Sequence, residues 1–236
     1  MLEMFETEFM QRAWLAGLIV AVICPLIGSF LVLRRQSMIG DGLGHIAFAG
    51  VAGGALMGWQ PVLSAAAVTV FGALVIEWVR TRLAAFSEMI LAIFFYSGIG
   101  LAVVFTSMNR MGGFNLSSIL FGSLMTISSS DLWIVAGLGI FACIFVVLFY
   151  RPLQYLTFDE TSARVAGLPA DRLNMWLAVL TALTVALSMR IVGLLLVSAM
   201  MVIPVACALQ LCRDNLRRYC LWARYRFRWS DLILLC

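Results

Sequence analysis

The chain has 236 residues, 63% of them hydrophobic and 12% charged, with a formal net charge of +4 and a mean hydropathy of +1.03. A soluble domain of this length carries roughly 25% charged residues, so a water-exposed globular domain is excluded. Bilayer is the solvent that suits apolar runs of ~20 residues separated by short charged clusters.

Glu3, Glu6 and Glu8 stand ahead of the first apolar run, where a cleavable signal carries positive charge, so the first span is read as retained. Spans are predicted at 13–33, 40–58, 62–80, 87–107, 131–150, 173–190 and 191–212. Each is long enough for ~30 Å of hydrocarbon at 1.5 Å per residue. The expected fold class is therefore all-α, a polytopic helical membrane protein with about seven transmembrane helices. The stretch 113–127 is too short and too polar to span, and is read as a re-entrant or surface helix that other protein must cover. Asp131, following Ser128, Ser129 and Ser130, is expected to cap the fifth span.

The loop RPLQYLTFDETSARVAGLPADR (151–172) offers Asp159 or Thr161 as a helix cap, with Gly167 and Pro169 as terminators. It reads either as a short helix that docks a cytoplasmic partner or as a plain connector. The transmembrane domain is set at 1–212, and 213–236 is a basic tail of a different composition. Six cysteines show no Cys-x-x-Cys pair or disulfide framework and are read as small hydrophobes.

All 16 basic residues are arginine, and they orient the chain. With the N-terminus outside, Arg34, Arg35, Arg80, Arg82, Arg151, Arg164, Arg172 and the six between Arg213 and Arg228 fall inside, leaving Arg12, Arg110 and Arg190 outside. The positive-inside bias then places the N-terminus out and the C-terminus in the cytoplasm. It also accounts for the arginines as membrane anchors rather than as a nucleic-acid surface.

The second span, GDGLGHIAFAGVAGGALMG, has seven glycines between Gly40 and Gly58. In a membrane such density lets helices approach closely, and Gly40 with Gly44, and Gly50 with Gly54, have the spacing of a packing motif. Asp41 and His45, the single histidine, share one face at i and i+4. Both fall within the hydrocarbon slab, where a central Asp costs ~2.5–3.5 kcal/mol on insertion scales. The pair could hydrogen-bond to each other and serve packing, relay protons, or bind a passing cation. Carboxylate oxygen with imidazole nitrogen suits a divalent first-row metal such as zinc or manganese. Two ligands cannot close a tetrahedral site, but two copies of the chain about a two-fold axis would supply four. Glu77 and Glu88 lie near Arg80 and Arg82 and are read as local interfacial pairs. A chain without lysine has no Walker A loop and hydrolyses no ATP by itself.

Other classes are weighed against transport of a metal. A cation-coupled secondary transporter calls for inverted repeats or a carboxylate relay, and neither is seen. A structural membrane protein would tolerate loss of Asp41 and His45. An intramembrane hydrolase lacks a second ionisable cluster.

Several stretches resemble the permease subunits of bacterial ABC importers for zinc, manganese and iron. They are FMQRAWLAG (9–17), LVLRRQSMIGDGLGHIAFAGVA (31–52), LFGSLMTIS (120–128), RPLQYLTFDETSARVAGLP (151–169) and VGLLLVSAMMVIPVACAL (192–209), in order and without large gaps. The resemblance implies a membrane domain like that of vitamin-B12-importer permeases, located in the bacterial cytoplasmic membrane and working as a homodimer. It implies a separate pair of cytoplasmic ATP-binding subunits and an extracytoplasmic metal-binding lipoprotein or periplasmic protein. No cofactor is permanently bound, and zinc or manganese is the substrate. Asp41 and His45 match the family's translocation-path ligands, and Phe158, Asp159, Glu160, Ala163 and Gly167 match the loop that seats in the ATPase. FMQRA, RRQSM and LTFDE look most like the zinc-uptake branch. The family continues after Ile-Pro-Val-Ala with a further hydrophobic hairpin, whereas 213–230 here holds six arginines, so a truncated or frame-shifted terminus is expected.

Overall fold

The computed structural model describes residues 8–34, 36–83, 86–108, 120–122, 129–158 and 160–213. Within them lie nine helices: α1 (Glu8–Leu33), α2 (Met38–Leu56), α3 (Pro61–Arg82), α4 (Ser87–Met108), α5 (Ser129–Leu148), α6 (Tyr150–Phe158), α7 (Glu160–Val165), α8 (Ala170–Val192) and α9 (Leu194–Arg213). No strand occurs among the described residues, as expected of backbone that must satisfy its own hydrogen bonds in lipid. The basic tail beyond Arg213 lies outside the described residues, as do 113–119 and 123–127 of the expected half-helix.

Five helices, α1 to α4 and α8, are long and apolar enough to cross a membrane. The pair Leu132–Leu148 and Tyr150–Phe158 is apolar enough to make a sixth when taken together, but it is bent by 72°, as in a broken span or a re-entrant loop. The last, Leu194–Gln210, is a shorter apolar helix. Against the expected seven, the described residues hold five helices that qualify as spans, six with the bent pair, and one shorter apolar helix. Two boundaries moved for physical reasons. The fifth span ends at Leu148 rather than 150, and a second helix follows from Tyr150 after a 72° bend, so much of 151–172 is helical. The break expected at 190/191 falls instead at Gly193, whose φ of +93° is left-handed and ends α8. α5 begins at Ser129, which puts Asp131 in its first turn rather than at its cap.

α2 is the centre of the bundle, touching α3, α4, α8 and α9, while α1 packs on α9 and α5, and α3 on α8. In its apolar window 67% of residues are buried, against 22% for α4, so α4 forms the periphery. The glycines explain how α2 fits. A Cβ at Gly50 would lie 3.0 Å from Ala65 Cα and Val68 Cβ of α3, and one at Gly54 would overlap Ser64. Nearer the start of α2, a Cβ at Gly40 would sit 3.3 Å from Met201 Sδ of α9, and one at Gly44 would overlap Leu194. The two glycine pairs therefore serve two different neighbours.

Two further close approaches involve other glycines. A Cβ at Gly28 in α1 would overlap the carbonyl oxygen of Met201 in α9. Gly122 (φ +77°) and Gly193 sit backbone to backbone, a Cβ at Gly122 falling 2.6 Å from Ile191 O and 2.7 Å from Gly193 N. This seats 120–122, the described part of the expected half-helix, on the break between α8 and α9.

Candidate functional site

The turn from α1 to α2 is four residues long, and Asp41 follows in the first turn of α2 with His45 one turn further. Both side chains are half-buried. The Phe95 ring of α4 meets the imidazole edge to face, with centroids 4.8 Å apart at 82°. One turn on from Phe95, a Cβ at Gly98 would lie 3.2 Å from His45 C and 3.3 Å from His45 Cβ. Its missing side chain lets α4 press directly on α2 at the histidine. Asp41 is near enough for its charge to act on the imidazole. Neither side chain has a hydrogen-bond partner among the described residues, so the arrangement in which the two simply bond each other is absent. Among the described residues no group of three or more His, Cys, Asp or Glu could hold a metal ion. One chain therefore brings one carboxylate and one imidazole to the same stretch of α2, neither of them hydrogen-bonded among the described residues.

The loop site is built differently. α6 and α7 meet at Phe158, which is 78% exposed, as is Val165 at 86%. Beneath them Ala163, Leu156, Ala170 and Leu173 form a small core of their own, with Leu168 packed on it. Gly167 (φ +82°) ends α7 in a Schellman arrangement, with Leu168 N–H donating to Ala163 O and Gly167 N–H to Arg164 O, both at 3.1 Å. Glu160 opens α7, which puts Thr161 inside the helix rather than at its cap, and Asp159 lies outside the described residues. The loop is thus a rigid platform with apolar side chains projecting from it.

Below the platform runs a polar network. Arg164 Nη2 donates to Glu160 Oε1 at 2.9 Å and to Asp171 Oδ1 at 2.7 Å. Asn174 Nδ2 donates to Glu160 Oε1 at 3.3 Å, and Arg34 Nη1 donates to Asn174 Oδ1 at 2.7 Å. Burial alone would raise the Glu160 carboxyl, but the Arg164 hydrogen bond and the charges of Arg80, Arg164 and Arg34 outweigh it and hold it below the ordinary glutamate range. Arg80 grips Glu77 bidentately at 2.6 and 3.0 Å, the interfacial pair expected from the sequence. Glu88 has no such partner among the described residues, and Arg82 lies over the Trp78 ring, 5.9 Å from its centroid.

Sequence reasoning passed over Arg34, counted only as an anchor, and Asn174. The signal for Asn174 was an amide in a predicted span, and it is 2% exposed in the structure. Cys24 is buried with its thiol 3.8 Å from Ser188 Oγ, which fits its reading as a small core residue.

A model of the ABC 3 transport family matches residues 6–225 of the chain. The chain is 37% identical over 208 residues to a probable metal transport system membrane protein of Treponema pallidum, covering 88% of this chain and 78% of that protein. It is 32% identical over 211 residues to the high-affinity zinc uptake system membrane protein ZnuB of Haemophilus influenzae, covering 89% and 80%. It is also 32% identical over 206 residues to the manganese transport system membrane protein MntC of Halalkalibacterium halodurans, covering 87% and 70%. Of solved structures, PsaBC from Streptococcus pneumoniae in complex with Fab is similar, with a TM-score of 0.73 at 25% identity over 86% of this chain and 75% of that one.

Proposed function

Because the chain belongs to the ABC 3 transport family, we propose that it is the membrane-spanning permease subunit of an ATP-driven importer for a divalent metal ion. The observation that carries this reading is the pair Asp41 and His45, held on one face of the most enclosed of the candidate spans with no hydrogen-bond partner among the described residues. Ionisable groups at membrane depth are costly unless they serve a path. Carboxylate and imidazole together suit a divalent first-row ion. Two copies of the chain pair their α2 helices and so offer two carboxylates and two imidazoles to one passing ion.

The N-terminus lies outside and the loop end in the cytoplasm, where the arginines concentrate. Phe158, Asp159, Glu160, Ala163 and Gly167 form the seat for a separate ATP-hydrolysing subunit. The exposed Phe158 over a self-contained core supports that role, since a docking element must keep its shape when unbound. A metal-binding protein on the outer face delivers the ion. Relatives of equal identity carry zinc and manganese in their names. The ligand chemistry serves both, and the zinc-like phrases FMQRA, RRQSM and LTFDE make zinc the first ion to test.

The test is uptake of radioactive zinc and manganese by a permease-deleted host expressing this chain, Asp41→Ala or His45→Ala at matched levels, with the host's ATPase and binding protein present. Uptake restored by the chain and abolished by each substitution is expected. Uptake unaffected by either substitution would remove Asp41 and His45 from the path.

A further inference from the structure

Between the loop platform and the metal helix lies a contiguous polar bridge. Arg34 stands in the turn that enters α2, and that turn is knit to both helices. Arg34 N–H donates to Phe30 O at 3.3 Å, Gln36 N–H to Leu31 O at 2.9 Å and Ile39 N–H to Gln36 O at 3.0 Å. A displacement of Arg34 therefore reaches the first turn of α2, which carries Asp41. From its guanidinium the bridge passes through the buried amide of Asn174 on α8 to Glu160, the first residue of α7.

The guanidinium is only part engaged. Nη1 has its acceptor in Asn174, while Nε and Nη2 are buried and meet no acceptor among the described residues. Buried donors left in that state are rare and unfavourable. Two carboxylates act on Arg34 through their charge, Glu160 and Glu77, and each is bonded to a different arginine. A small shift of α7 or α3 would thus supply Arg34 with a carboxylate that it does not bond in this arrangement. The planar fork of arginine suits such an exchange, and a lysine ammonium does not.

We propose that Arg34 is a positioning residue that couples the ATPase-seating loop to the metal helix, by exchanging its Asn174-mediated hold on Glu160 for a direct carboxylate bond as α7 moves. This rests on the permease reading above. Asp41 and His45 meet the ion, and Arg34 sets where their helix stands.

The experiment uses the full chain with its ATPase and binding protein in proteoliposomes, reading zinc or manganese moved per ATP hydrolysed. Arg34→Ala, Arg34→Lys and Asn174→Leu should keep hydrolysis while the ratio falls by about tenfold, inside the ~5–150-fold range typical of coupling between sites. Uptake and hydrolysis falling in proportion would mark a purely structural residue and overturn the proposal, as would a lysine variant with the normal ratio. If the unaltered complex moves no metal, the permease reading fails, and the bridge is judged on the purified chain by hydrogen exchange. Faster exchange across both 36–41 and 160–165 in Asn174→Leu then supports it, and unchanged exchange across 36–41 overturns it.

Discussion

Adding one methyl group at Gly28 should damage this protein more than its position in a plain apolar run suggests. A Cβ there overlaps the Met201 carbonyl oxygen and lies 2.9 Å from its carbonyl carbon and 3.0 Å from its Cα. The obstacle is the main chain of α9, so no rotamer change relieves it and α1 must move away. Overpacking of this kind costs ~1–3 kcal/mol, and an immovable neighbour places Gly28→Ala near the upper end. Replacing glycine within a helix returns ~0.5–1 kcal/mol. The net is a loss of about 2 kcal/mol, roughly a 30-fold fall in the folded-to-unfolded ratio. Gly17, in the same helix, has nothing within 4 Å of an added Cβ. Gly17→Ala should therefore show only the gain. Thermal unfolding in detergent, followed by circular dichroism, should put Gly28→Ala below the parent by ~4–8 °C and Gly17→Ala level with it or above. A Gly28→Ala protein melting as high as the parent, or two variants shifted alike, would refute the claim that the α1–α9 contact sets the cost.

Three other perturbations follow from the same geometry. Glu77→Ala strands the Arg80 guanidinium, whose side chain is 12% exposed, and should cost ~3–5 kcal/mol; the double change Glu77→Leu with Arg80→Leu should recover much of the yield of folded protein. Glu160 has its carboxyl held below the ordinary range, so its stabilisation is complete above the unfolded value of ~4.3 and is lost as pH falls through the lower folded one. Protection of the α7 amides, taken as observed exchange relative to the intrinsic rate at each pH, should accordingly fall on acidification in the parent, whereas in Glu160→Gln it should be low already at neutral pH and nearly independent of pH. Phe95→Leu removes the ring that abuts His45, an edge contact worth ~0.5–1.5 kcal/mol. The half-saturating metal concentration for uptake should rise ~2–10-fold, well short of the effect of His45→Ala.

Which features were legible depended on whether a residue carries its own explanation. The spans were visible because hydropathy accumulates over twenty residues, and Gly167 was visible because glycine after a short helical run has one common use. Gly28 was not, since a lone glycine between apolar residues has no signature until the helix it touches is known. The break between α8 and α9 was misplaced by a few residues because both flanks are apolar. Its position is set by Gly193 meeting the backbone of Gly122, some seventy residues earlier in the chain. The bend at the end of α5 was hidden likewise, because the residues on both sides of it suit a helix.

Arg34 shows the same limit at the level of charge. A count of arginines by side treats all of them alike, and it reads this one only as an anchor of the inner end. Its distinct role depends on Asn174 and Glu160, 140 and 126 positions further along the chain, which only the folded bundle brings to it. The same folding explains why α2 needs so many glycines. It must lie tightly against four neighbours, yet it must carry an aspartate and a histidine that bond to none of them. Small residues achieve the first without filling the second. Larger ones at Gly40, Gly44, Gly50 or Gly54 would push α2 off α9 or α3, and Asp41 and His45 would shift with it. If Asp41 and His45 meet the ion as proposed, substitutions at these glycines should read out as losses of metal uptake.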